Sequence, residues 1–500
     1  MYLYIVHHMK NGLPVLFFTF FVLSLQAQQP VITVKVVDGK EKPIRFMRPF
    51  EGKYFINEFT EDTLDATGML VLPNKEKVAG AFGFIHQRMY RLYVRPGKSY
   101  TITIDDKNKS NPLSIDGPDQ EGQLALASLN FEFYFSLATK YHREDTVFEH
   151  NKLRATKALD SCLNPFRQLH AQHKIDDAFY KYAESLIRNY YAAVLGSTLM
   201  WSIQRLEYNK DSARYNAQQI SQINGYWKEV AAISDIFDAR SMATDTYADH
   251  SRTYNSGYLR FFLPQMKGTF RQPANEEEYQ KAVYNVLTEH YKQEPLREYL
   301  LASNIHELIL EKRYQAVIPD FYQSFIKKYP RSRYTPLLTP GINTVKAFLD
   351  KRNEEFAKNQ RFMENYGTIE TVDQLAERFK GETVYMDLWA TWCGPCKEEF
   401  KYSKELREYL TSKGVEMLYV SVDKETADKQ WKTMIKYYNL QGTHLRASDK
   451  LNKDIFRIFN HNEVFGIPRY VILKDGKIVV PDALPPSKKG ELYKQLEQYL

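Results

Sequence analysis

The chain of 500 residues contains only three cysteines, Cys162, Cys393 and Cys396. So few exclude a disulfide-stapled framework and a four-thiolate zinc site. The twelve histidines show no zinc-ligand spacing, and no second Cys/His pair lies near Cys393 and Cys396. No metal and no cofactor is therefore expected. Tracts of Lys or Arg are also lacking. The net charge of +7, one less without Lys10, is a small excess for this length, so a nucleic-acid partner is not expected. Long apolar runs are scarce too. The one notable run, Leu13–Leu25, is uncharged and too short to span a bilayer comfortably. It has the form of a signal-peptide core, with Lys10 before it and Ala27 at a plausible cleavage point. No cysteine follows it to carry a lipid. The expectation is a cleaved leader over 1–27 and an exported, periplasmic protein; an uncleaved anchor is the alternative.

Apolar residues make up 43% of the chain, enough for several cores, and the length suggests about three domains. Residues 28–117 read as a small β-sandwich. Short β-branched stretches at 31–37, 68–72, 91–94 and 100–104 are separated by Gly and Pro turn signals. From 118 to 357 the strand pattern gives way to amphipathic stretches such as 177–187 and 322–329, and an all-helical domain is expected. Pro330 should stop the second of these, with Pro336 and Pro340 in a loop. No repeat recurs at a fixed period. A polar linker is expected around 351–355. Residues 358–500 alternate strand and helix, which argues for an α/β layer. Its elements are a strand at 384–390, a helix at 393–410, a strand at 415–422, a helix at 427–438, a hairpin over 470–480 and a terminal helix at 489–500. Thr371 to Gln374 looks like a capping box.

The chemistry lies in Cys393-Gly394-Pro395-Cys396, where the apolar strand ends and a helix begins. A thiolate attacks a disulfide, and a free cysteine titrates too high, at about 8.5, to react well at neutral pH. At a helix N-terminus the macrodipole and unpaired amides favour the anion. Pro395 suits a first turn, where its missing N–H has no partner in any case. Cys393 is thus the expected nucleophile, and Cys396, one turn on, the resolving thiol. Asp387 stands inside the apolar strand, on the face of Trp389. An acid placed there is costly unless paired or protonated, which suggests a proton-shuttle role. Glu399 lies one turn past Cys396 and is a second candidate; decoration of a solvent face is the other reading. Cys162 reads as a buried inert thiol, or as a partner for another protein's cysteine. The 36 tyrosines read as core and interhelix packing.

The stretch from Asp387 through Lys397 resembles the active site of thioredoxin-fold proteins. It is most similar to exported TlpA/ResA-like thiol–disulfide oxidoreductases. Three features carry this: Glu399 six residues after Cys393, Ser421-Val422-Asp423 before an inserted helix with Trp431, and Phe465-Gly466-Ile467-Pro468 before the hairpin. The resemblance covers about 360–500. It implies a cis Pro468 against the dithiol, with Ile467 offering backbone hydrogen bonds to substrate. Trp392, Gly394 and Pro395 join them as expected substrate-binding residues. The sequence alone says only that Ile-Pro precedes a strand, which a trans proline also satisfies. Lys401 stands where relatives usually have proline, so no helix kink is expected. Arg469 replaces a commoner small polar residue. The implied activity is reduction of disulfides in periplasmic client proteins, at a potential near thioredoxin's, about −270 mV. Electrons would come from a membrane donor. Two alternatives stand: a client-binding or scaffold protein with an accessory redox domain, and an isomerase or oxidase in the same fold.

Overall fold

The computed structural model describes residues 29–500 except 57, 111, 209–216 and 461–465. The expected leader over 1–27, and Phe465, lie outside the described residues. Eight strands come first: β1 Val31–Val36, β2 Pro43–Met47, β3 Thr60–Thr63, β4 Met69–Pro73, β5 Gly80–His86, β6 Arg88–Val94, β7 Tyr100–Ile104 and β8 Leu113–Asp116. They form two four-stranded sheets, ordered β4-β1-β7-β8 and β3-β2-β5-β6. Alternate residues of both sheets, such as Ile32, Val34, Phe46, Phe82 and Phe84, meet in one apolar core. Four strands escaped the sequence reading. β3, Thr-Glu-Asp-Thr, is exposed throughout and has no apolar alternation to detect.

Helices follow: α1 Gln120–Ser128, α2 Tyr134–Glu144, α3 Phe148–Ala171, α4 Asp177–Tyr208, α5 Ala217–Ile233 and α6 Asp245–Thr253. A π-helical stretch, Tyr254–Phe262, leads into α7 Leu263–Met266. Then come α8 Glu276–His290, α9 Glu294–Leu310, α10 Val317–Lys328 and α11 Thr335–Asp350. The expected loop with Pro336 and Pro340 is instead inside α11. Pro336 sits in the first turn, where its missing N–H costs nothing, and Pro340 gives up one backbone bond within a helix whose Leu338, Ile342, Val345 and Phe348 are buried. The linker is not free chain either. Lys351–Asn353 form a 3-10 turn, and the carbonyls of Arg352 and Glu354 accept from Lys436 at 2.7 and 2.9 Å.

The C-terminal region contains β9 Gln360–Phe362, α12 Val372–Glu377, β10 Thr383–Trp389, α13 Gly394–Glu399, α14 Ser403–Ser412, β11 Val415–Ser421, α15 Asp428–Tyr437, β12 Gly442–Arg446, α16 Asp449–Phe459, β13 Arg469–Lys474, β14 Lys477–Ala483 and α17 Gly490–Glu497. Its six-stranded sheet runs β14-β13-β10-β11-β12-β9. β10 is central, parallel to β11 and antiparallel to β13, and each of its residues is buried. Val384, Met386 and Leu388 face one core with Leu418, Val420, Val471 and Leu473. Tyr385 and Trp389 face the other with Tyr419, Tyr470 and Ile472, in an apolar cluster continuous with the helical region. Thr371 caps α12 by accepting from Gln374 N, while the Gln374 side chain accepts from Glu370 N, one residue earlier than a strict capping box. The hairpin turns at Asp475 and Gly476, both with positive φ, as a two-residue turn requires.

The helix expected over 393–410 is broken. Phe400–Tyr402 form a 3-10 turn between α13 and α14 even though Lys401 replaces the relatives' proline. Packing accounts for the break: Phe400 wedges between Trp389 and Tyr438, with ring centroids 5.2 and 5.1 Å away. Between the sheets and the helices, the buried Arg91 guanidinium grips Asp245 through three hydrogen bonds of 2.6–3.1 Å. Asp245→Ala would leave a buried cation unpaired and is expected to destabilise the protein by about 3–5 kcal/mol, measured by urea unfolding.

Candidate active site

β10 delivers the chain to a corner at Ala390–Trp392, and α13 departs from Cys393. Cys393 is the residue that caps α13: its Sγ accepts from Cys396 N–H at 3.1 Å. The two cysteines are joined as a disulfide. Both are buried, and Trp392 beside them is 61% exposed. Pro395, in the first turn, is exposed as well, and the Gly394 Cα faces open space. The bond between Ile467 and Pro468 is cis, as the resemblance implied. Ile467 is half-buried and packs on both cores of the sheet. Arg469 next to Pro468 pairs with Asp482.

The corner itself is held by a residue the sequence reading used only as part of a resemblance. Asp423, buried just past β11, accepts from Thr391 N–H and Thr391 O–H, each at 2.8 Å, and from Ser421 O–H at 2.8 Å. An acid closing a buried strand next to a loop was the available signal. Burial still pushes its carboxyl up, against these bonds and the positive charge of Lys397.

Asp387 lies on β10, opposite Tyr419 on β11 and Tyr470 on β13. It is 2% exposed. Its Oδ1 and the Tyr470 hydroxyl are both buried without a hydrogen-bond partner among the described residues. Burial, with the nearby charge of Glu399, drives the Asp387 carboxyl well above the ordinary range. Glu399 is half-buried and accepts from Ser487 N–H at 2.9 Å, which ties α13 to the turn before α17. The structure thus brings Asp387 and Glu399 into electrostatic contact. The tyrosines around Asp387 were invisible in the sequence because cross-strand register brings them there. Cys162 is half-buried, not buried, with its sulfur 3.6 Å from the Tyr191 hydroxyl. No cluster of potential metal ligands occurs among the described residues.

A family model described as Redoxin matches residues 347–499. Thiol-disulfide oxidoreductase ResA of Bacillus thuringiensis subsp. konkukian is 36% identical over 124 residues, 24% of this chain and 64% of that protein. The C-terminal region belongs to the ResA/TlpA-like thioredoxin-fold family. ResA of Bacillus anthracis is 34% identical over 122 residues, or 63% of its length. The chain therefore spans somewhat under two thirds of these curated relatives. A putative thiol-disulfide oxidoreductase from Bacteroides vulgatus, solved in solution, is 32% identical over 25% of this chain and 78% of its own, with a TM-score of 0.21. Residues 28–346 lie outside the family match, so the ResA/TlpA-like assignment rests on the dithiol region alone.

Because the folded state holds the Asp387 proton more tightly than the unfolded chain, the contribution of Asp387 to stability is greatest below the ordinary Asp range of about 4. It falls as pH rises towards the raised value. Asp387→Asn removes that penalty. Urea midpoints measured against pH should show the variant gaining on wild type above about pH 4, at up to about 1.4 kcal/mol per pH unit.

Proposed function

We propose that the protein is an exported thiol–disulfide oxidoreductase that reduces disulfides of periplasmic client proteins. The observation that carries this reading is the closed Cys393–Cys396 disulfide with Cys393 at the start of α13, its sulfur facing the Cys396 N–H. In the reduced form that amide and the helix end favour a Cys393 thiolate. The thiolate attacks one sulfur of a client disulfide, a mixed disulfide forms, and the other client sulfur leaves as a thiolate. Cys396 then attacks Cys393, the second client thiolate leaves, and the internal disulfide closes. Two electrons have passed to the client, and a membrane donor restores the dithiol.

Asp387 takes the proton that Cys396 must lose, and Glu399 relays it outward. The raised Asp387 carboxyl supports this, since a buried acid held well above the ordinary carboxylate range takes up a proton more readily than an exposed one. Exposed Trp392 and Pro395, with Gly394, Ile467 and cis Pro468, form the surface for the client chain. We divide the chain into a β-sandwich-like module (28–117), a helical module (118–357) and the redox module (358–500), behind a cleaved leader (1–27).

Cys393→Ser should reduce insulin disulfides only at the background rate, and Cys396→Ser should accumulate a mixed disulfide visible on a non-reducing gel. Equilibration against dithiothreitol should place the pair near about −270 mV; a value near about −120 mV would make the protein a disulfide donor.

A further inference from the structure

The loop from α9 to α10, residues 311–315, meets the redox region with three consecutive carbonyls. Lys397 Nζ donates to Lys312 O at 2.9 Å and to Glu311 O at 3.3 Å. Gln430 on α15 donates to Arg313 O at 2.9 Å. The Lys312 ammonium pairs with Glu398 on α13. Tyr314 packs against Phe348 and Tyr437, with centroids 5.2 and 6.0 Å away. Within this short loop two residues other than glycine take left-handed backbone, Lys312 at φ 53° and Tyr314 at φ 45°. Residues with a Cβ rarely hold that conformation unless their surroundings require it, and it concentrates at functional sites.

Lys397 directly follows Cys396 and is 1% exposed. A lysine so deep is rare, and this one spends its amine on the helical region. The charges of Lys312, Arg313 and Glu311 on the loop, and of Asp423 past β11, all act on it. Burial and the two cations bring its pKa down to about 7.

We propose that Lys397 is a positioning residue of the dithiol and that the helical region holds it. The carbonyls of Glu311 and Lys312 fix the amine, and the amine fixes the first turn of α13. That turn aims Cys396 N–H at Cys393 Sγ, the bond that favours the thiolate. Releasing the amine loosens the turn, weakens the thiolate and makes the pair easier to oxidise. The inference rests on the disulfide-exchange reading above.

The test uses the full chain, reduced and alkylated with iodoacetamide across pH, with the Cys393 peptide resolved by mass spectrometry from that of Cys162. Lys397→Met removes the donor from the redox side. Tyr314→Ala loosens the loop from the helical side without touching α13. Both are expected to raise the alkylation midpoint of Cys393 by about half a pH unit, roughly threefold less thiolate below it, and to shift the reduction potential to more negative values. Lys397→Arg keeps donors for both carbonyls and should stay near wild type. If both variants fold, by thermal unfolding, and keep the wild-type midpoint and potential, the inference is overturned. A shift with Lys397→Met alone overturns the part assigned to the helical region. Failure of the wild type to reduce insulin sinks the exchange reading instead, and the midpoints stay measurable.

Discussion

The hydrogen bond from Cys396 N–H to Cys393 Sγ depends on a corner where a fully buried strand becomes a helix. A sulfur can cap a helix only if the chain enters that helix at one position and angle. β10 sets the position, since ladders to β11 and β13 hold it on both edges. Asp423 sets the angle by holding Thr391 through both its N–H and its hydroxyl. The chemistry of the dithiol is therefore prepared by backbone placement, and the polar groups around it are few and deep.

One face of β10 carries the consequences. Tyr385, Asp387 and Trp389 project into a core shared with Tyr419 and Tyr470, so an acid sits where water does not reach. An uncompensated carboxylate in that setting is costly, and the group answers by holding its proton. The stability lost to Asp387 above its ordinary pKa is the cost of burying that carboxyl between Tyr419 and Tyr470. The opposite face, with Val384, Met386 and Leu388, is wholly apolar and anchors the strand.

The helical region is fused to this layer and not merely tethered to it. Its apolar core runs into that of the redox region, the segment after α11 is pinned by Lys436, and the loop at 311–315 closes over Lys397. The Arg91–Asp245 pair joins the sheets to the helices in the same way, through a buried contact with strict partners. Orientation between parts of the chain is consequently specified by side chains that cannot be left unpaired.

Local chemistry was legible in the sequence wherever it is local in the chain. Cysteine spacing, the apolar run before it, Pro395 in a first turn and the turn at Asp475-Gly476 act within a few residues. The dithiol corner, the buried acid and the hairpin could all be read from them. Exposed β3 carried no periodic signal, Pro340 was tolerated because the faces around it are buried, and the break at Phe400–Tyr402 came from ring packing rather than from a proline. The tyrosines flanking Asp387, the grip of Asp423 on Thr391 and the burial of Lys397 join residues between 32 and 86 positions apart. Only tertiary structure decided those, because register and docking are set by the sum of many apolar contacts across the fold, which no short window of sequence contains.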